Sequence, residues 1–304
     1  MSINGTLPDL SCSLKDTYFV EHFDFFASRF QVLSRCIAGL NIVLSLVITF
    51  ANGVFFAAVF HHPSLRTPPN ILVCSLGASD FLVGAVFLPL FTGFLLEHSL
   101  FKSCFYYGLT LSTALLTCGV SFATIVAISC ERYLALFRPF TYLSLVTVPR
   151  VGCAIAISWI LSSVIVATFV FSSASYASYV LLFLLACGIA VIAYTYCRIF
   201  KLARRHQTQI QAQQTIGPSI NSQQKLAVTM AYVIGVTFMC YLPIACSTIA
   251  SFIQGFDQTV SEAYYATMTL VTLSSVVNPG IYCWRNRDIR DEVVVLLRQM
   301  KIRQ

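Results

Sequence analysis

Apolar residues in this chain come in long unbroken blocks rather than in the short alternations of a soluble domain. Seven windows, at about 34–60, 70–96, 103–134, 150–171, 175–200, 224–254 and 260–283, are apolar over most of their length. Each can cross about 30 Å of hydrocarbon as an α-helix, so the pattern predicts an all-α membrane fold, a bundle of seven spanning helices. In the first window Asn41, Ser45, Thr49 and Asn52 recur at helical spacing, which predicts a polar stripe facing other helices rather than lipid. Connections are short except for a polar N-terminal tail and the Gln-rich segment 201–224, which carries Gly217 and Pro218. After the last window Ile289, Val293, Leu296, Leu297 and Met300 share one helical face, with Arg287, Arg290, Asp291 and Arg298 on the other. That is the signature of an amphipathic helix lying on a membrane surface. The implied divisions are 1–33 for the tail, 34–285 for the bundle, and 286–304 for the amphipathic helix and chain end. There is no internal repeat, so the inverted-repeat architecture of many transporters has no support.

Composition sharpens this picture. The 304 residues are 57% hydrophobic and 10% charged, against about a quarter charged in soluble domains. Arg66, Arg132, Arg138, Arg150, Arg198, Lys201, Arg204, Arg205, Lys225 and the run from Arg285 to Arg303 all flank one set of window ends, leaving Lys15, Arg29, Arg35 and Lys102 for the other. The positive-inside rule then places the N-terminus outside and the C-terminus in the cytoplasm. The net charge of +7 reads as topology, not nucleic-acid binding. Asn4-Gly5-Thr6 becomes an outward-facing glycosylation sequon. The first residues, with Asp9 and Asp16, lack the pattern of a cleaved leader, so the first window is expected to act as the insertion signal. Most of the 12 cysteines fall in apolar stretches or at cytoplasmic ends, where they act as small hydrophobes. Cys12, Cys104 and Cys36 alone can face an oxidising exterior. No pair has metal-ligand spacing, and His22, His61, His62, His98 and His206 all sit near window ends, where solvation is expected.

Ionisable groups inside a membrane are costly and therefore functional candidates. Here they are Asp80 in Leu76-Gly77-Ala78-Ser79-Asp80, and Glu131-Arg132 followed by Tyr133 at the inner end of the third window. Asn52, the Leu76 to Asp80 stretch, Glu131-Arg132-Tyr133, Trp159, Tyr196, Cys240-Tyr241-Leu242-Pro243 and Asn278-Pro279-Gly280-Ile281-Tyr282 occupy the seven windows in order. Taken singly, Asn52 could be a packing residue and Trp159 an interface residue. As a series over about 34–300 they resemble the signatures of rhodopsin-like, class A G-protein-coupled receptors.

The resemblance implies a non-enzymatic plasma-membrane receptor that passes binding of an extracellular ligand, small molecule or peptide, to a heterotrimeric G protein. It implies that Asp80, Ser121, Ser274, Ser275 and Asn278 hold a sodium ion as an allosteric modulator, with no other cofactor. Arg132 would be held by Glu131 at rest and swing toward Tyr196 and Tyr282 as the sixth helix moves about Tyr241 and Pro243. The same carry-over places a ligand pocket among Ala114, Leu115, Cys118, Ile244, Thr248, Tyr264 and Met268.

Departures from the family pattern narrow the reading. The outer loop 172–178 has no cysteine, so the usual bridge from the third helix cannot form there. Tyr107 occupies the usual cysteine position and Cys104 lies slightly earlier; Cys12 and Cys104 are the candidate pair for an outer disulfide, with Cys36 the other outward-facing thiol. Gly188 replaces the fifth-helix proline and Tyr241 the sixth-helix tryptophan. The missing bridge, the short outer loop, the missing fifth-helix proline and the run Tyr196-Cys197-Arg198-Ile199-Phe200-Lys201-Leu202-Ala203-Arg204 together look most like the melanocortin, adenosine and cannabinoid branch, with the loop spacing nearest to melanocortin receptors. Ala114 stands where amine receptors carry aspartate, and Thr272 where opsins carry the retinal lysine, which disfavours a cationic amine or retinal. Leu90, Tyr107 and Leu111 replace the acidic cluster of melanocortin receptors, and Thr248 the adenine-binding asparagine of adenosine receptors. Gln223 stands where many family members have an acid that also holds the third-helix arginine, which implies appreciable ligand-independent signalling. Thr237, in place of a packing phenylalanine, works the other way. A transporter or channel is the alternative, but it would need discontinuous helix pairs or rings of charge, and a membrane enzyme would need a catalytic constellation at depth.

Overall fold

The computed structural model describes residues 31–97, 100, 103–171, 174–210, 232, 234–247, 249–250, 258–285 and 287–302. Asn4, Cys12, Gln223 and Thr248, and the side chains of Cys104, Tyr264 and Met300, lie outside the described residues. The helices are α1 (Gln31–His61), α2 (Pro68–Leu96), α3 (Cys104–Phe137), α4 (Val148–Phe171), α5 (Ala174–Ile210), α6 (Ile234–Ser247), α7 (Gln258–Arg285) and α8 (Arg287–Ile302). By length and composition α1 to α5 can each cross a membrane. In α7 the buried residues include Thr269, Thr272, Ser274, Ser275 and Asn278, so its polar face turns inward. Val43, Leu46, Val47 and Phe50 of α1 and Ile157, Ile160, Leu161 and Val164 of α4 are exposed, an arrangement stable only against lipid.

The polar stripe of α1 does face the bundle. Asn41 and Asn52 are fully enclosed. Ser34 Oγ donates to the Leu95 carbonyl (2.6 Å) and Ser45 Oγ to that of Gly84 (2.7 Å). Asn52 Nδ2 donates to Ile48 (3.0 Å) and, across to α7, to the Ser275 carbonyl (3.2 Å).

The Ser45 bond has a cause in α2. Residues Val83–Phe87 form a π-helical turn in which the Leu88 amide reaches back to the Val83 carbonyl. The next donor in that register would be residue 89, a proline with no N–H. The Gly84 carbonyl is thereby left for Ser45. Gly84 also lets the helices close: a Cβ there would lie 2.7 Å from Thr49 Oγ1 and 2.9 Å from the Thr49 backbone nitrogen.

Elsewhere α5 packs on α3 across Gly188, where a Cβ would meet the Phe122 ring at 2.4 Å; the missing proline has become a slot for an aromatic ring. Trp159 is not an interface anchor: its indole donates inward to Ser75 Oγ (3.2 Å), which also contacts Thr124 (3.3 Å).

Two expectations of extent are corrected. The fifth helix does not stop near residue 200 but continues to Ile210, since nothing before Gly217 breaks it and Lys201, Arg204 and Arg205 are good helix formers. The connection after the third helix contains a short helix, Pro139–Leu145, opened by proline at its first position. The amphipathic helix is as expected along part of its face. Ile289 is buried, Val293 and Leu296 half-buried, and Leu297 exposed. His62 is not simply solvated, because its Nε2 meets Glu292 Oε2 at 2.7 Å and ties the turn after α1 to α8.

Candidate functional site

Asp80 is 3% exposed, in the N-terminal half of α2. Its two oxygens accept from Ser275 Oγ (2.7 Å) and Asn278 Nδ2 (2.9 Å) of α7. Ser121 of α3 bonds Ser79 Oγ at 2.8 Å, beside Asp80 in sequence, and Ser274 Oγ donates to the Val271 carbonyl (2.8 Å). Asn278 Oδ1 is enclosed without a hydrogen-bond partner among the described residues. Asp80, Ser275 and Asn278 are thus joined directly and carry hard oxygen donors of the kind a small monovalent cation takes, whereas Ser121 reaches Ser79 and Ser274 bonds within its own helix. Among the described residues there is no His, Cys, Asp and Glu grouping suited to another metal.

The second constellation lies toward the C-terminal end of α3. Arg132 is 1% exposed, and its guanidinium donates through Nε and Nη2 to both oxygens of Glu131. This two-bond geometry makes the pair strong, and burial makes it costly to leave half-made. Glu131 has a second donor that its sequence context did not announce. Tyr142, on the Pro139–Leu145 helix, donates its phenol to Glu131 Oε1. Burial first, and then the carboxylate beside it, push the Tyr142 phenol well above its ordinary pKa, so it remains a donor throughout the physiological range. Only the loop helix, which hydropathy does not reveal, brings Tyr142 within reach.

Tyr133 does not join this lock. Its ring stacks on Phe137 (4.6 Å) and approaches Tyr194 of α5 (6.0 Å), with Arg198 over the Phe137 ring at 5.3 Å. The hydroxyls of Tyr196 and Tyr282 are enclosed and without partners among the described residues, and Tyr282 packs against Phe55 at 5.5 Å. Beside the lock, Phe140 is 99% and Leu143 81% exposed.

Nearer the middle of α3, Cys118 Sγ accepts from Tyr241 of α6 at 3.6 Å. Ala114 and Met268 pack against one apolar cluster that joins α1, α2 and α3. Leu115 and Ile244 are half-buried. Pro243 leaves no amide to bond backward, and its own carbonyl accepts from Ser247 Oγ (3.0 Å), a weak point suited to bending. Pro279 occupies the same kind of place inside α7.

Comparison with known proteins now adds an independent line. The family model of the 7 transmembrane receptor (rhodopsin family) matches residues 51–178 and 169–282. The chain belongs to the rhodopsin family of seven-transmembrane receptors. It is therefore a G-protein-coupled receptor and a multi-pass membrane protein, not an enzyme. It is 26% identical to the histamine H2 receptor of Cavia porcellus over 95% of this chain and 82% of the relative. It is 27% identical to the human adenosine receptor A2a over 87% and 73% respectively. A third relative, human G-protein coupled receptor 12, is 27% identical over 82% of this chain and 78% of its own length. Near-equal similarity to receptors of such different names ranks no ligand class for this receptor.

Proposed function

We propose that this receptor sits in the plasma membrane with its N-terminus outside, binds an extracellular small molecule or peptide, and activates a heterotrimeric G protein through its cytoplasmic face. The observation that carries the reading is the buried Glu131 carboxylate shared between Arg132 and Tyr142. Such a group holds one arrangement of α3 and the loop helix until something outbids it. The unpartnered hydroxyls of Tyr196 and Tyr282 supply alternative acceptors for a released Arg132. A ligand that binds the released arrangement more tightly shifts the balance by its difference in affinity and no more. Phe140 and Leu143, both exposed on the short helix that carries Tyr142, offer the G protein an apolar contact beside the lock.

The ligand is neither a cationic amine nor retinal in this reading. Histamine and trace amine receptors are among the relatives, but Ala114 supplies no counter-charge to an ammonium group, and Thr272 has no amine for a Schiff base. Asp80, Ser121, Ser274, Ser275 and Asn278 would hold sodium, whose charge would stabilise the resting arrangement around the Asp80 carboxylate.

Nucleotide exchange on purified G protein, with the receptor reconstituted in lipid, tests the proposal. Native receptor is expected to accelerate exchange, Phe140→Ala to reduce it severalfold and Arg132→Ala to abolish it. No acceleration by native receptor with any G-protein class would sink the reading.

A further inference from the structure

We propose that the outer end of α3 is fixed to α2 by a tyrosine clasp, Tyr106 seated on Gly93, which substitutes for the covalent tether this chain cannot make to the cysteine-free segment 172–178. Ser103 caps α3: its hydroxyl accepts from the Tyr106 amide (3.4 Å) and its carbonyl from that of Tyr107 (3.1 Å). This puts Tyr106 in the first turn, with its ring directed at α2. The phenol donates to the Leu90 carbonyl at 3.0 Å. It can reach that carbonyl only because residue 93 has no side chain. A Cβ on Gly93 would lie 2.2 Å from the Tyr106 oxygen and 3.2 Å from its Cζ. The ring is further held edge-on by Phe94, with centroids 4.9 Å apart at 67°, and Phe94 also approaches Tyr107 at 6.4 Å. Glycine inside a helix is intrinsically unfavourable, and here the slot it opens is filled by the Tyr106 phenol, with Leu100 Cδ1 bordering it at 3.4 Å.

The clasp matters to signalling because α3 is a single helix from Cys104 to Phe137. Ala114 and Leu115 lie about two turns inward from Tyr106, so the bond sets the height and rotation of that stretch against α2. Unlike a disulfide, it is indifferent to redox conditions. This goes beyond the receptor reading and has a test that does not depend on it.

The test is a mutant cycle on the full chain in nanodiscs, comparing Gly93→Ala, Tyr106→Phe and the double variant. The alanine methyl collides with the hydroxyl, at the free end of a side chain, so its effect is to evict that bond. Both single variants are expected to melt several degrees lower. The double variant should melt no lower than Tyr106→Phe, because there is no hydroxyl left to evict. Simple addition of the two losses would overturn the clasp. Strong reductant should leave the native melting temperature unchanged; a drop would assign the tether to a disulfide of Cys12, Cys36 or Cys104 instead. Where exchange is measured, the three variants should share one rate that differs from native by about twofold or more, and a native rate in all three would remove any role in positioning α3.

Discussion

In the proposed switch a single carboxylate, that of Glu131, holds the resting arrangement. It accepts from Arg132 twice and from Tyr142 once, and a hydrogen bond to a charged group is worth about 1.5–3 kcal/mol. Tyr142→Phe removes one donor and keeps the ring, so ligand-independent exchange is expected to rise roughly tenfold for each 1.4 kcal/mol lost. Gln223→Glu, which would add an acid, is expected to lower basal signalling at matched surface expression. If neither substitution changes it, the resting state is not governed by this lock. At Asp80, replacement by asparagine is expected to abolish any dependence of agonist affinity on sodium when measured against a bulky cation; persistence of the sodium effect would return Asp80 to a structural role. The sequence made Glu131, Arg132 and Asp80 legible because charge inside an apolar window is conspicuous. It concealed Tyr142, an ordinary loop tyrosine until a short helix turns it toward the carboxylate. Tyr133, next in sequence to Arg132, instead turns its ring to Phe137 and Tyr194.

Among the elements, the α1–α2 seam is the most constrained. Ser45→Ala would leave the Gly84 carbonyl without its side-chain donor, a loss of about 1–3 kcal/mol for a buried acceptor. Gly84→Ala should be worse, since the new methyl meets the Thr49 backbone nitrogen at 2.9 Å and backbone cannot swing aside. Both should appear as lowered melting temperature and surface yield, with Gly84→Ala the more severe; equal and negligible effects would mean that the seam is loose. Helix number was legible from hydropathy alone, because bilayer thickness fixes the minimum apolar length. The ends were not. The inner part of α5 is polar enough to resemble a loop, and the Pro139–Leu145 helix is too short for periodicity to show. The π turn was likewise hidden, since its only outward sign is a proline that many straight interpretations would accommodate as a kink.

For the receptor as a whole, charge asymmetry and the Asn4 sequon make one joint prediction. Native protein from animal cells should shift on glycosidase treatment, and an N-terminal tag should stain without permeabilisation. Staining only after permeabilisation would invert the assigned topology and move the Glu131 lock to the wrong face. The π turn at Val83–Phe87 also bears on how this receptor is compared with its relatives. One extra residue within a turn rotates everything beyond it by about 100°. Residues outward of Phe87 therefore present a different face from the one inferred by counting from Asp80 along a regular helix. Leu90, which stands at an acidic position of melanocortin receptors, lies in that outward stretch. Against any relative whose second helix lacks the turn, the correspondence on the outer half slips by one place, and the residues bordering the ligand must be numbered inward from Leu95, which Ser34 pins, rather than outward from the carboxylate.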